Sequence, residues 1–329
     1  MSSSIVNDNP EIYYSGVYWN DFKPVVEYMS RCFTGDPATW WEDDFRRRFC
    51  ATPFESALFL NCGNGWVERQ FIDRGMVTTA TAFDYSADLV AVAEAEKGTR
   101  PITYFQADAN TVELGKDRFD LVVNVAALHH VQKLDRLHRQ LCAATRPDGI
   151  FVNFEYIGPA RNQYGKAQWR HIEEENAALP ERVRKEPLVM PHLPTMLVTD
   201  PTEAIHSDLI LKVQARYFDI FERHDTGGGV AYQLLTHNPK LQGIPEAELR
   251  ELVGPLLDTD WKLTQEGRVP PLFSYFLSRP RKPALRNPAL GLLYSLQENG
   301  REALARRRRG VYSWGQFREL KAHEAANRG

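Results

Sequence analysis

The chain has 329 residues, 43% hydrophobic and 25% charged, with a formal net charge of −3 and a sequence pI near 6.3. That length and balance build one large domain with insertions, or two domains, around a sizeable core. They exclude a nucleic-acid binder along the whole chain, and no apolar run approaches the roughly 18 residues of a membrane span.

The start, "MSSSIVNDNPEIYYSG", is polar and lacks a basic-then-apolar signal region, which points to the cytoplasm. Residues 1–54 are aromatic-rich with helical spacing ("YYSGVYWNDFKPVVEYMSRCF", "ATWWEDDFRRRF") and read as a helical cover. Alternation begins at Ser56. "SALFLN" predicts a buried strand, and "VERQFIDRG" a helix stopped by Gly75. "VTTATAFD" predicts a second strand ending in Asp84. "SADLVAVAEAEKG" predicts a helix capped by Ser86 and stopped at Gly98. "ITYFQAD" and the doubly apolar "FDLVVNVAAL" predict strands three and four. "KLDRLHRQLCAATRPDG" predicts a helix and a turn, and "IFVNFEYI" a fifth strand.

Beyond residue 157 the pattern changes, with an insertion at about 158–215. A helix within "GPARNQYGKAQWRHIEEENAALPERVRK" precedes an extended Pro-rich stretch, "PLVMPHLPTMLVTDP". "TEAIHSDLILKVQARY" predicts a helix capped by Thr202, and "GGG" at 227–229 a flexible turn. "FDIFERHD" and "LFSYFLSRP" predict two edge strands paired antiparallel, with the helix "EAELRELVGPLL" between them. From residue 281 onward the chain reads as a basic helical tail. From Pro280 to Gly329 there are eleven Lys or Arg against four Asp or Glu, a balance of +7 that leaves −10 for the body. "ARRRRG" at 305–310 offers contact with an anionic surface, solvated disorder being the plainer alternative.

Strand and helix alternate from 56 to 157 with short connections, which predicts an α/β fold with a doubly wound parallel sheet. Ligands bind such sheets beyond the carboxyl ends of the strands, where strand order reverses. The residues placed there are Asn61–Gly65, Asp84, Asp108–Asn110, Asn124–His130 and Glu155–Arg161. A dinucleotide would want G-x-G-x-x-G, but Gly63 and Gly65 are followed by Glu68 in place of the third glycine. A carboxylate there opposes a pyrophosphate. None of the cysteines Cys32, Cys50, Cys62 and Cys142 forms a C-x-x-C pair, and no histidine motif for zinc occurs. No metal is expected unless tertiary structure brings ligands together.

In order along the chain, "LFLNCGNG", "TAFDYS", "YFQADAN", "FDLVVNVAALHHV" and "RPDGIFVNFE" resemble the elements of the class I S-adenosylmethionine-dependent methyltransferases. The resemblance covers residues 56–157 and implies a seven-stranded Rossmann-like sheet with S-adenosyl-L-methionine as cofactor. It implies that Asn61, Cys62, Gly63 and Gly65 form the glycine-rich loop, and that Asp84, beside Tyr85, holds the ribose hydroxyls. It places Asp108, Ala109 and Asn110 at the adenine, and Asn124 and Val125 at the end of the fourth strand. Two positions depart from the family: Phe59 stands where an acidic residue is usual, and Asn61 where glycine is. The cofactor has no phosphates, so Glu68 ceases to be an obstacle.

His129 and His130 follow the fourth strand near the expected methyl group, where a histidine base takes a proton from a hydroxyl or amine. Proximity alone, with one ring packed structurally, is the alternative. Glu155, Tyr156 and Arg161 are candidates for acceptor contact or for structural bridging. Tyr14, Tyr18 and Trp19 are candidates for a lid, or for ordinary helix packing. "EYIGPARNQ", "LPERVR" and "DPTEAIHSDLI" resemble the branch that modifies sugars and secondary products, which favours a small-molecule or glycan acceptor over nucleic acid. The expectation is methyl transfer to oxygen or nitrogen of such an acceptor. The rival is a scaffold that kept the fold and lost the reaction.

Overall fold

A computed structural model describes residues 17–307. Helices α1 (Lys23–Thr34) and α2 (Trp41–Phe49) lead into β1 (Phe54–Phe59), α3 (Trp66–Asp73), β2 (Val77–Asp84), α4 (Ala87–Glu96), β3 (Ile102–Gln106) and β4 (Phe119–Val125). Next come α5 (Leu134–Ala144), β5 (Thr145–Tyr156), α6 (Lys166–Ala178), α7 (Leu193–Thr199), α8 (Ile210–Tyr217) and β6 (Phe218–Thr226). The chain continues through α9 (Ala231–Leu235), α10 (Glu246–Gln265), β7 (Phe273–Pro280) and α11 (Pro288–Arg307).

The seven strands form one sheet in the order β3-β2-β1-β4-β5-β7-β6. The first five run parallel, and β7 is antiparallel to both β5 and β6. Order reverses between β1 and β4. The loops leaving those two strands therefore lie side by side at one edge of the crevice. Apolar residues of β4, Leu121 to Val123, are buried on both faces. This is what a central parallel strand requires.

The N-terminal helices share the core of the sheet. Phe33, Trp40 and Trp41 meet Phe154 edge-on or tilted, at 5.7, 5.6 and 6.2 Å between ring centroids. Trp19 is buried and stacks on Phe273 at 5.3 Å, so it packs as core rather than as a lid.

Several sequence expectations are corrected. The RPDG turn lies inside β5, where the register with β4 jumps between Phe119↔Thr145 and Leu121↔Ile150. Thr202 caps no helix: its N–H and hydroxyl both donate to Asp200 Oδ1, and α8 begins only at Ile210. The extended Pro-rich stretch contains α7, whose proline falls in the first helical turn, where a missing N–H costs nothing. The helix expected at 246–257 runs on to Gln265 through Pro255.

The three glycines are no flexible turn. Buried Asp260 accepts Gly228 N–H at 2.6 Å, Val230 N–H at 2.7 Å, Ala231 N–H at 3.0 Å and the Tyr28 hydroxyl at 2.7 Å. Gly228 has φ +91°, and a Cβ on Gly227 would fall 2.0 Å from Asp260 Oδ2. Glycine is used here for close approach, not for mobility.

The tail also docks. Glu298 of α11 is buried and accepts the Asp135 N–H, and Arg301 pairs with Asp208 at 2.6 Å. Residues 308–310 of the basic run lie outside the described residues, as does Tyr14. Among the described residues no helix is long and apolar enough to cross a membrane.

Candidate active site

A cavity of about 750 Å³ opens where β1 and β4 part, lined by residues from the N-terminal segment, the sheet and the 158–215 insertion. Its floor is the loop after β1. Asn61 and Gly63 both take left-handed backbone there, at φ 44° and 56°. Asparagine is among the few side chains that tolerate this conformation. The Asn61 amide donates to the Ala127 carbonyl at 3.3 Å and ties the two loops together.

Asp84, at the end of β2, accepts Gly63 N–H through one oxygen at 2.8 Å and Ser86 N–H through the other at 2.9 Å. Burial raises its pKa, and these amide bonds oppose the rise. Asp108 is fixed by accepting both the backbone and the side-chain N–H of Asn110, each at 2.8 Å. Tyr85, Ala109, Asn110, Val125 and Cys62 line the same wall.

The histidine pair also lines the cavity. His129 Nδ1 lies 2.6 Å from Glu155 Oε1. Burial pushes the His129 pKa down, but the Glu155 carboxylate outweighs it and lifts the ring to about 9. His130 goes the other way: burial first, then the charge of His129, hold it below the ordinary histidine value. The two ring centroids are 4.1 Å apart.

Four expected residues are not brought to the cavity. Glu155 is completely buried and serves as a hub. It accepts from Asn124 Nδ2 at 2.9 Å, Ala127 N–H at 3.1 Å, Leu128 N–H at 2.7 Å and Tyr156 N–H at 2.6 Å. Asn124 is spent on that hub. Gly65 sits behind the loop, where a Cβ would fall 2.4 Å from the Tyr104 hydroxyl. Arg161 is buried and bonded to the Pro201 carbonyl, holding the 200–205 turn. Tyr156 and Tyr18 do line the cavity.

Glu203 was not singled out by the sequence, because only folding of the insertion carries it to the histidines. Glu68 was noted only as an obstacle to phosphate. It is completely buried in the first turn of α3, on the cavity wall, and neither carboxyl oxygen has a hydrogen bond of normal geometry among the described residues. Burial pushes its pKa up to about 8. Phe59, in the family's usual acidic position, packs edge-on against Phe71 at 5.3 Å.

A pH test follows for Glu68. Its folded value of about 8 exceeds the 4.5 of an unburied glutamate. The native state therefore keeps a proton that the unfolded chain releases. Stability of the cofactor-free protein should fall as pH rises from 4.5 to 8, by at most about 1.4 kcal/mol per pH unit from this group. Glu68→Gln lacks that dependence, so its stability relative to wild type should climb across the window and level off above it. Urea denaturation at a series of pH values reads the gap; a gap independent of pH would remove Glu68 as a neutral buried acid.

The charge on the cavity wall is lopsided. Glu42, Glu68, Asp84, Asp108, Asp200 and Glu203 line it. Among the described lining residues the one Lys or Arg is Lys185, which donates to the Gln233 and Thr236 carbonyls at 2.6 and 2.7 Å. Such a wall suits a ligand with cationic groups and opposes a pyrophosphate.

Residues 58–153 match the family model described as a methyltransferase domain. Over those residues the chain is similar to the methyltransferase domain family. An uncharacterised methyltransferase of Mycobacterium bovis is 28% identical over 106 residues, covering 32% of this chain and 53% of that protein. A malonyl-[acyl-carrier protein] O-methyltransferase of Enterobacter lignolyticus is 30% identical over 132 residues, covering 40% and 51%. The chain thus spans about half the length of the curated relatives it matches. The crystal structure of an S-adenosylmethionine-dependent methyltransferase from Mesorhizobium loti aligns with a TM-score of 0.44 at 21% identity, over 69% of this chain and 91% of that one.

S-adenosylmethionine, the cofactor that the sequence resemblance implies, fits the side chains that line the cavity. Each Asp84 oxygen already accepts one amide and can accept a ribose hydroxyl as well. The acidic wall accommodates the sulfonium and the ammonium, and the cofactor brings no phosphate for Glu68 to repel.

Proposed function

We propose that this chain transfers a methyl group from S-adenosylmethionine to an oxygen or nitrogen of a small metabolite or sugar. One observation carries the reading: a single cavity is lined both by the strand-end carboxylates Asp84 and Asp108 and by the histidine pair, His129 buried and His130 partly so. The cofactor supplies an electrophilic methyl group. Asp84 and Asp108 hold its nucleoside end. Glu68 stands in for the carboxylate that Phe59 displaces, and meets the ammonium of the methionyl end.

The acceptor enters between Tyr18, Tyr156 and the histidines. Transfer needs the acceptor atom in line with the methyl carbon at about 3–3.5 Å. His130, kept neutral, is suited to take the proton that the acceptor loses. A concave cavity of this size suits a small molecule rather than a polymer surface. The likeness to an O-methyltransferase supports oxygen as the receiving atom.

Labelled methyl transfer into cell extract, followed by identification of the product, tests the reading. Cofactor binding without transfer to any acceptor would favour the scaffold alternative. Asp84→Ala should weaken cofactor binding at least tenfold, since charge-assisted hydrogen bonds are each worth about 1.5–3 kcal/mol. Unchanged affinity by calorimetry would take Asp84 out of the site.

A further inference from the structure

Two imidazoles and one carboxylate converge on the acceptor side of the cavity. His129 Nε2 and His130 Nε2 each lie 3.8 Å from Glu203 Oε2. All three ligand atoms fall within 4.8 Å of one another. A point equidistant from atoms so spaced lies no more than about 2.5 Å from each, against ~2.0–2.2 Å for imidazole and carboxylate bonds to zinc. Small side-chain rotations close that gap.

The far atom of each side chain is fixed by a second layer. Glu155 accepts from His129 Nδ1 at 2.6 Å, so in the neutral ring Nδ1 carries the proton and Nε2 is the donor atom. The Thr202 hydroxyl donates to Asp200 Oδ1 at 2.9 Å and therefore accepts from His130 Nδ1 at 3.1 Å. His130 Nε2 is set the same way. Asn162 Nδ2 donates to Glu203 Oε1 at 3.1 Å, leaving Oε2 on the histidine side. An imidazole whose outer N–H meets a carboxylate or hydroxyl is the usual support for a metal ligand.

We infer that His129, His130 and Glu203 bind one divalent first-row transition cation. Two imidazoles favour such an ion over magnesium or calcium. Three protein ligands leave further positions open to the cavity; with the ion bound, His130 Nε2 is occupied, so the ion rather than His130 would activate an acceptor hydroxyl, whose proton then passes to solvent. That task rests on the methyl-transfer reading above; the binding of the ion does not.

The full chain, stripped with EDTA and gel-filtered, is titrated with Zn²⁺ by calorimetry and with Co²⁺ by visible absorption. One equivalent should bind, with Co²⁺ d–d bands reporting nitrogen ligation. Glu203→Gln and His130→Ala should each weaken Zn²⁺ binding at least tenfold, and Glu155→Gln by roughly 10- to 100-fold. Thermal melts check folding, and the partly exposed, isosteric Glu203→Gln keeps the test valid if a histidine variant unfolds. Absence of stoichiometric binding overturns the site, as does an affinity untouched in a folded Glu203→Gln. Ion binding without methyl transfer to any acceptor supports the site while removing the functional reading. Undiminished transfer by the metal-free protein overturns the ion's part in the reaction.

Discussion

His130→Ala should lower methyl transfer by roughly 10²- to 10⁴-fold, the range for loss of a group that handles the acceptor's proton. Cofactor affinity should hardly move, because the proposed nucleoside contacts are Asp84 and Asp108, not His130. His129→Ala should behave differently. His129 is the partner of a fully buried carboxylate that also anchors the Ala127 and Leu128 amides. Its loss leaves Glu155 without a cationic neighbour in a dry setting, so the melting temperature should fall together with the rate. Single-turnover transfer, cofactor calorimetry and thermal melts on both variants separate the two roles. If both proteins turn over near the wild-type rate, proximity and orientation suffice, and the pair is only structural.

Asp260→Ala should be the most destabilising of the substitutions considered, at about 3–5 kcal/mol, because several buried donors lose their acceptor at once. For a domain of this size that is a drop of roughly 6–20 °C in melting temperature. The side chain lies remote from the chemistry, yet it fixes the turn from which α9 starts. That helix carries Tyr232 and Gln233, which line the cavity. Asp260→Asn keeps one acceptor oxygen and should lose less. Equal melting temperatures for wild type and the alanine variant would show that Gly227–Gly229 is held by something else.

Much of this was legible. Five strands were readable because parallel strands are apolar on both faces and each is followed by a short polar turn. The turns after β1, β2 and β3 announced Asn61–Gly63, Asp84 and Asp108 by residue type. The antiparallel edge was readable as well, since both runs are short and β-rich. What escaped is long-range. Glu203 approaches His129 only because Arg161 and Asn162, themselves in left-handed conformations, bind the turn that carries it. Nothing in "DPTEAIH" declares that. The glycine triplet misled for a related reason: its partner, Asp260, lies in a helix on the far side of a loop. Glu155 read as an acceptor contact or a structural bridge because it sits at a strand end; the strand turns it inward, and it bridges.

The acidic wall also bears on turnover. A sulfonium becomes a neutral thioether once its methyl group has left. A wall on which Asp84, Asp108, Asp200 and Glu203 outnumber the cationic groups Lys185 and His129 therefore attracts the spent cofactor less than the fresh one. Buried charge of this kind is screened only weakly by salt. The same carboxylates that favour entry of the charged cofactor would thus ease exit of the neutral one, and S-adenosylhomocysteine should bind more weakly than S-adenosylmethionine by calorimetry.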